Sequence, residues 1–224
     1  LSGFSDVLTG IEQVRFEGGP GDDVIRGSGL PGAAGRPGNL FDPGGGSDSI
    51  EGGAGTTEVR IFARDYIEGA GLSGPGVTVR ASRAGPEGNW SVEIGDDTLA
   101  LRSVDTLDLR GFSTDDTFVV EGDGVTVRAD FGDDLVRGDR RDQSFFGSNG
   151  ADTLIGGGGD DVLDGGNGDD LAVFEGVRSG EVPAPVVASD GSLALSLPDG
   201  SVTRLVDIER VQFENGIAPI EDLL

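Results

Sequence analysis

The sequence predicts an all-β protein, a parallel β-roll or β-helix with two glycine-rich roll segments capped by short β-strand ladders. Three observations predict it. Glycine and aspartate recur with a nine-residue period, an apolar residue holds a fixed place in each period, and a longer repeat of alternating apolar residues encloses the short one. Composition alone points elsewhere. Of 224 residues 42 are glycine, against about 7 % in ordinary domains, the formal charge is −25 and 6 % of residues are aromatic, a profile shared with acidic disordered tails. The order of the residues decides for structure.

Residues 1–17 read as the closing ladder of a preceding unit, because Leu8-Thr-Gly-Ile11-Glu12-Gln-Val14-Arg-Phe16-Glu17 returns as Leu205-Val-Asp-Ile208-Glu209-Arg-Val211-Gln-Phe213-Glu214. A first unit, 18–110, opens with a roll at 18–60. There GGPGDDVIR places Gly21, Asp23 and Ile25 at the fourth, sixth and eighth places. A seven-residue insertion, 27–33, precedes a poor copy at 34–42 with Asn39 and Phe41. Blocks 43–51 (Asp48, Ile50) and 52–60 (Thr57 in place of Asp, then Val59) complete the roll. An irregular segment and the alternating Trp90-Ser-Val92-Glu-Ile94 fill 61–100, and a looser ladder with Leu101, Val104, Asp105, Leu107 and Leu109 closes the unit at 101–110.

The second unit, 111–224, carries the stronger roll at 111–173. GSNGADTLI, GGGGDDVLD and GGNGDDLAV follow one another from Gly147, Gly156 and Gly165. They set Gly150, Gly159 and Gly168 at the fourth place, Asp152, Asp161 and Asp170 at the sixth, and Leu154, Leu163 and Ala172 at the eighth. Weaker copies precede them: 111–119 keeps Gly111, Asp116 and Phe118, and 129–137 keeps Gly132, Asp134 and Val136. Block 120–128 keeps only Val127, and block 138–146 has Arg141 and Gln143 where glycine and aspartate belong, with Phe145 in the apolar place. Capping strands are expected over 174–224, among them Leu193-Ala-Leu195-Ser-Leu197. A chain that starts mid-unit without Met is expected to be cut from a longer protein.

The period has a physical reading. Glycines at the first, second and fourth places permit positive φ and close backbone approach, so six residues make a tight turn. The last three form a short strand whose middle residue points inward. Two turn–strand units, eighteen residues, then make one coil of a flattened spiral, which stacks Asp134 on Asp152, Asp152 on Asp170, Asp161 against Gln143 and Asp23 on Asp48. Carboxylates about 4 Å apart repel by about 4 kcal/mol at an effective dielectric of about 20, so something must be supplied between the turns. Carboxylates plus turn carbonyls offer the all-oxygen sphere that calcium accepts, and magnesium, with its tighter octahedron and retained waters, suits stacked loops less well.

These motifs resemble the RTX (repeats-in-toxin) family, whose GGxGxDxUx nonapeptide forms a calcium-binding parallel β-roll. The resemblance implies several bound Ca²⁺ ions with the sixth-place Asp23, Asp48, Asp116, Asp134, Asp152, Asp161 and Asp170 as ligands. It also implies turn carbonyls from Gly19, Gly21, Gly44, Gly46, Gly132, Gly150, Gly157, Gly159, Gly166 and Gly168. Further implications are export by type I secretion machinery, folding outside the cell where calcium is plentiful, and an extracellular or cell-surface location. The ending Asp222-Leu223-Leu224 resembles the acidic-then-apolar close of some type I signals.

The composition also excludes. His, Cys, Lys and Met are absent, so there is no zinc site of the common kinds, no Ser-His-Asp triad and no disulfide scaffold. The acidic field argues against nucleic acid and anionic membrane as partners, and no apolar run is long enough to insert as a helix. Carboxylates that recur with the turn do not converge in one cleft, so catalysis is not expected, and Trp90 reads as core. The expected role is structural, with calcium triggering and stabilising the fold. The alternatives are a non-catalytic C-terminal module of a secreted hydrolase or polysaccharide-modifying enzyme, and a repeat unit of an adhesin or surface-layer protein with an extracellular polysaccharide or surface partner. The long stretch 61–91 leans the expectation towards two separate lobes rather than one spiral.

Overall fold

A computed structural model describes residues 14–19, 21–26, 39–42, 44–52, 57–62, 78–84, 89–94, 97–102, 104 and 106–224. Among these, 21 strands form two sheets. The first, sheet A, runs in the order β1 (Val14–Glu17), β3 (Asn39–Asp42), β5 (Thr57–Phe62), β9 (Thr106–Phe112), β11 (Val125–Asp130), β13 (Gln143–Asn149), β15 (Val162–Asn167), β19 (Val202–Val206), β18 (Leu193–Ser196) and β17 (Val186–Val187). The second, sheet B, runs β2 (Val24–Arg26), β4 (Ser49–Glu51), β8 (Asp97–Arg102), β7 (Asn89–Ile94), β6 (Thr78–Ala84), β10 (Thr117–Glu121), β12 (Leu135–Arg137), β14 (Thr153–Ile155), β16 (Leu171–Val173), β20 (Arg210–Phe213) and β21 (Gly216–Pro219). Helix is confined to two short 3₁₀ turns, Ser179–Glu181 and Ile220–Leu223, among the described residues.

The chain alternates between the sheets, so neighbours within a sheet are parallel and eighteen residues apart through the second roll. Phe118 pairs with Val136, Val136 with Leu154 and Leu154 with Ala172, while Val127 pairs with Phe145 and Phe145 with Leu163 on the other sheet. This is a parallel β-roll. Its core is the seam between the sheets, filled by the eighth place of each repeat: Ile25, Phe41, Ile50, Val59, Phe118, Val127, Val136, Phe145, Leu154, Leu163 and Ala172 are all buried.

Both sheets run unbroken from the first roll to the second, through β5–β9–β11 on one side and β4–β8–β7–β6–β10 on the other. The two rolls therefore lie on one spiral, and the expectation of separate lobes is corrected. The reason lies in the part of 61–100 that had no period. Thr78–Ala84, Asn89–Ile94 and Asp97–Arg102 pair antiparallel with one another and enter sheet B as a block between two parallel strands. The second unit repeats the device at β17–β18–β19, and a last antiparallel pair, β20–β21, ends sheet B. Trp90, Val92 and Ile94 alternate inward as the sequence predicts, and the Arg83 guanidinium lies 5.6 Å from the centre of the Trp90 ring.

The outer face of sheet A carries a knot of charge. The buried Asp108 carboxylate accepts from Arg60 Nε (2.9 Å), Arg110 Nη2 (2.9 Å) and Arg128 Nη1 (2.7 Å), donors drawn from β5, β9 and β11. Arg110 and Arg128 also lie over the Phe62 and Phe146 rings at 5.7 and 5.0 Å, which holds the guanidinium planes against the sheet.

Candidate metal centre

Strands β2, β4, β10, β12, β14 and β16 of sheet B each directly follow a sixth-place aspartate, and the turns of the second roll stack into an edge. Glycine is required by the approach of one turn to the next. Gly150 takes φ 140°, and a Cβ there would collide with the Gly132 carbonyl oxygen of the preceding coil.

The carboxylates then lace the coils together. Asp116 N donates to Asp134 Oδ1 (2.6 Å), Asp134 N to Asp152 Oδ1 (2.8 Å) and Asp152 N to Asp170 Oδ1 (2.8 Å). On the opposite edge Gln143 N donates to Asp161 Oδ1 (3.0 Å), and in the first roll Asp23 N donates to Asp48 Oδ1 (2.8 Å). Each carboxylate thus spends one oxygen on the backbone of the coil before it. The second oxygens of Asp134, Asp152, Asp161 and Asp170 are buried and accept no hydrogen bond. Such orphans cost roughly 1–3 kcal/mol each, and more for a charged group.

The second oxygens of Asp152, Asp161 and Asp170 lie against first-place glycines, whereas the block of Asp134 has Ala129 in that place. A Cβ on Gly147 would collide with Asp152 Oδ2 and crowd the Gly165 carbonyl of the next coil, and a Cβ on Gly156 would collide with Asp161 Oδ2. The gap between turns at Gly147 and Gly156 is therefore lined by oxygen. Burial pushes the carboxyl of Asp134 up to about 8, of Asp161 up to about 7 and of Asp152 up to about 6. The main-chain N–H of the preceding coil opposes each rise, and neighbouring carboxylates add to it. Asp170 is shifted in the same direction, first by burial. Among the described residues no three acidic side chains form a ready metal cluster, so a cation here would draw on one or two carboxylates with main-chain carbonyls completing its shell. Hard oxygen donors that are buried, anionic and unpaired fit calcium.

The model of the RTX calcium-binding nonapeptide repeat matches residues 15–29 and 137–172, in four copies. Those segments carry RTX calcium-binding repeats. The matched segments make up roughly a quarter of the sequence, and no curated protein matches the chain.

The RTX sixth-place residues are not equivalent. Asp134, Asp152 and Asp170 form one buried column, and Asp161 stands on the other edge beside Gln143. Asp116 closes its own turn instead: Phe112 N donates to its Oδ2 (3.0 Å) and Thr114 Oγ1 to its Oδ1 (2.9 Å). Asp23 accepts from Gly19 N of its own turn (3.2 Å). Gln143 fills its place by offering hydrogen, its Nε2 donating to the Gly122 carbonyl (2.8 Å) and Asp139 Oδ1 (2.6 Å). Among the glycines, the Gly19 carbonyl accepts from Gly45 N (3.1 Å) and crowds Gly44, while Gly21 abuts Gly46 and the Gly150 carbonyl abuts Gly168. Gly157, Gly159 and Gly166 sit against the carbonyls of Asp139, Arg141 and Ser148.

Sequence reasoning missed a second acidic ladder, at the fifth place. Ser47 N donates to Asp22 Oδ1 (2.9 Å), Asp133 N to Asp115 Oδ1 (2.9 Å), Ala151 N to Asp133 Oδ1 (2.8 Å) and Asp160 N to Asp142 Oδ1 (2.8 Å). The signal was present in the doublets Asp22-Asp23, Asp115-Asp116, Asp133-Asp134, Asp160-Asp161 and Asp169-Asp170.

Proposed function

We propose that this chain is a secreted calcium-binding RTX module whose folding after export is triggered and held by Ca²⁺ between stacked turns, with a structural role in a larger extracellular or cell-surface protein. The column of buried carboxylate oxygens that accept no hydrogen bond, at Asp134, Asp152 and Asp170, carries the reading. Asp161 with Gln143, and Asp23 with Asp48, would hold further ions. Asp116 is the weakest member of the set, since its own turn already engages both its oxygens. Bound calcium supplies positive charge where buried acids repel one another. The residues supply the rest: glycines that let turns touch, main-chain carbonyls that face the gap, and aspartates fixed in rotamer by the N–H of the preceding coil.

The units proposed are 18–110 and 111–224, each a roll followed by an antiparallel block and a ladder, after the ladder of a preceding unit at 1–17. Carboxylates strung along an edge, one per coil, support a structural rather than a catalytic role. Export by type I machinery belongs to the same proposal and is supported by the repeat type alone. No described helix is long and apolar enough to cross a membrane.

Far-ultraviolet circular dichroism of the chain, in millimolar calcium and in EDTA, tests the reading. The expected outcome is a strand spectrum and melting temperature in calcium that both fall on chelation and return when calcium is restored. A spectrum and melting temperature indifferent to EDTA would overturn it.

A further inference from the structure

The RTX pattern stops at Asp170, but the column of acids does not. Strand β20 continues sheet B beyond β16 with Leu171 opposite Arg210, which sets Glu209 level with Asp170. No glycine-rich turn leads into it, only Asp207-Ile208-Glu209. Asp170 N donates to Glu209 Oε2 at 2.8 Å, the same bond that Asp134 N and Asp152 N each make to the aspartate of the following coil.

The carbonyl side of the gap is reproduced as well. Where Gly147 faces Asp152 Oδ2 and the Gly165 carbonyl, Gly165 faces Asp170 Oδ2 and the Asp207 carbonyl, so tightly that a Cβ would collide with both. Asp207 takes φ 44°, a left-handed conformation uncommon outside glycine, in making this bend. Asp170 is fully buried, and its Oδ2, which faces this gap, accepts no hydrogen bond. The Arg210 guanidinium, whose charge acts on Asp170, is committed elsewhere: it donates from Nε to Asp169 Oδ1 (2.6 Å) and from Nη2 to the Asp169 carbonyl (3.0 Å).

We propose that Asp170, Glu209 and the main-chain carbonyl of Asp207 form a terminal calcium site, one rung beyond the last repeat, in which a three-residue bend does the work of a six-residue glycine-rich turn. The inference rests on the calcium reading above. It assigns to the closing ladder a ligand that the nonapeptide pattern does not contain.

Calcium bound per chain, measured by equilibrium dialysis with elemental analysis, tests it on the parent chain, Glu209→Gln and Glu209→Ala. Glutamine keeps an oxygen for Asp170 N, so strand register is retained while the charge is lost. Both variants are expected to bind one ion fewer, and the melting temperature of Glu209→Ala is expected to fall in calcium far more than in EDTA. An unchanged ion count in both variants overturns the site, as does an equal loss of melting temperature with and without calcium, which would mark Glu209 as a strand tether. A parent chain that binds no calcium would instead remove the calcium reading itself.

Discussion

At the scale of single residues, two neighbouring aspartates do opposite things. In the doublet Asp133-Asp134, the first carboxylate reaches forward to Ala151 N of the next coil and the second reaches back to Asp116 N of the previous one. The sixth-place acids pay with burial, and this sets a pH dependence. Their carboxyls lie at about 8, 7 and 6 for Asp134, Asp161 and Asp152 in the folded chain, above the ordinary value of about 3.9 that an unfolded chain restores. A raised folded pKa contributes stability that is complete below about pH 4 and is lost as pH climbs through about 6 to 8. In EDTA the melting temperature is therefore expected to fall as pH rises across that window. Calcium, which binds the ionised form, is expected to flatten or reverse the fall. A metal-free chain that grows more stable from pH 4.5 to 8 would contradict the burial argument. A companion comparison separates the aspartates: Asp152→Asn is expected to lower the number of calcium ions bound, and Asp116→Asn to leave it unchanged, both read by calorimetric titration.

At the scale of elements, the strands were legible wherever their cause is local. The eighth place predicted Leu154, Leu163 and Phe145 as core because turn length and strand length repeat every nine residues, and each is fully buried. Leu154→Ala is expected to cost about 2–5 kcal/mol in denaturant unfolding with calcium present, since its neighbours Val136 and Ala172 are held by sheet register and cannot close the gap. What was not legible depends on register set elsewhere. Thr78–Ala84 has no turn period to announce it and becomes a strand because Asn89–Ile94 folds back upon it. Glu209 reaches the acid column only after the antiparallel detour of β17 to β19 returns the chain to the roll, so no local spacing shows its place. The role of Asp116 turned on its own turn, where Phe112 N and the Thr114 hydroxyl engage its two oxygens. The arginine knot likewise needs three strands brought side by side, and Asp108→Ala is expected to cost about 1.5–3 kcal/mol by leaving Arg60, Arg110 and Arg128 to face one another, a loss that added salt would partly relieve.

At the scale of the whole molecule, one spiral behaves differently from two lobes. Coils contact their neighbours along a line, so stability is a sum of coil and interface contributions, and disturbance spreads from rung to rung. Trp90 stands in the antiparallel block between the two rolls, buried and beside Gly122 of the second. Its emission is therefore expected to shift to the red on chelation together with the loss of strand signal, although it lies off the acid columns. Two separated transitions, one for the fluorescence and one for the dichroism, would show that the rolls melt independently despite their shared sheets.

The carboxylate laces also give the molecule a mechanical character. They run along the spiral axis in both directions at each turn, so a pull on the ends loads a few short bonds at one coil before the next is disturbed. Every coil of the second roll that peels away frees eighteen residues, a contour gain of about 60 Å. Stretched by its ends, a calcium-loaded chain should lengthen in a staircase of such steps, and a chelated one should yield smoothly.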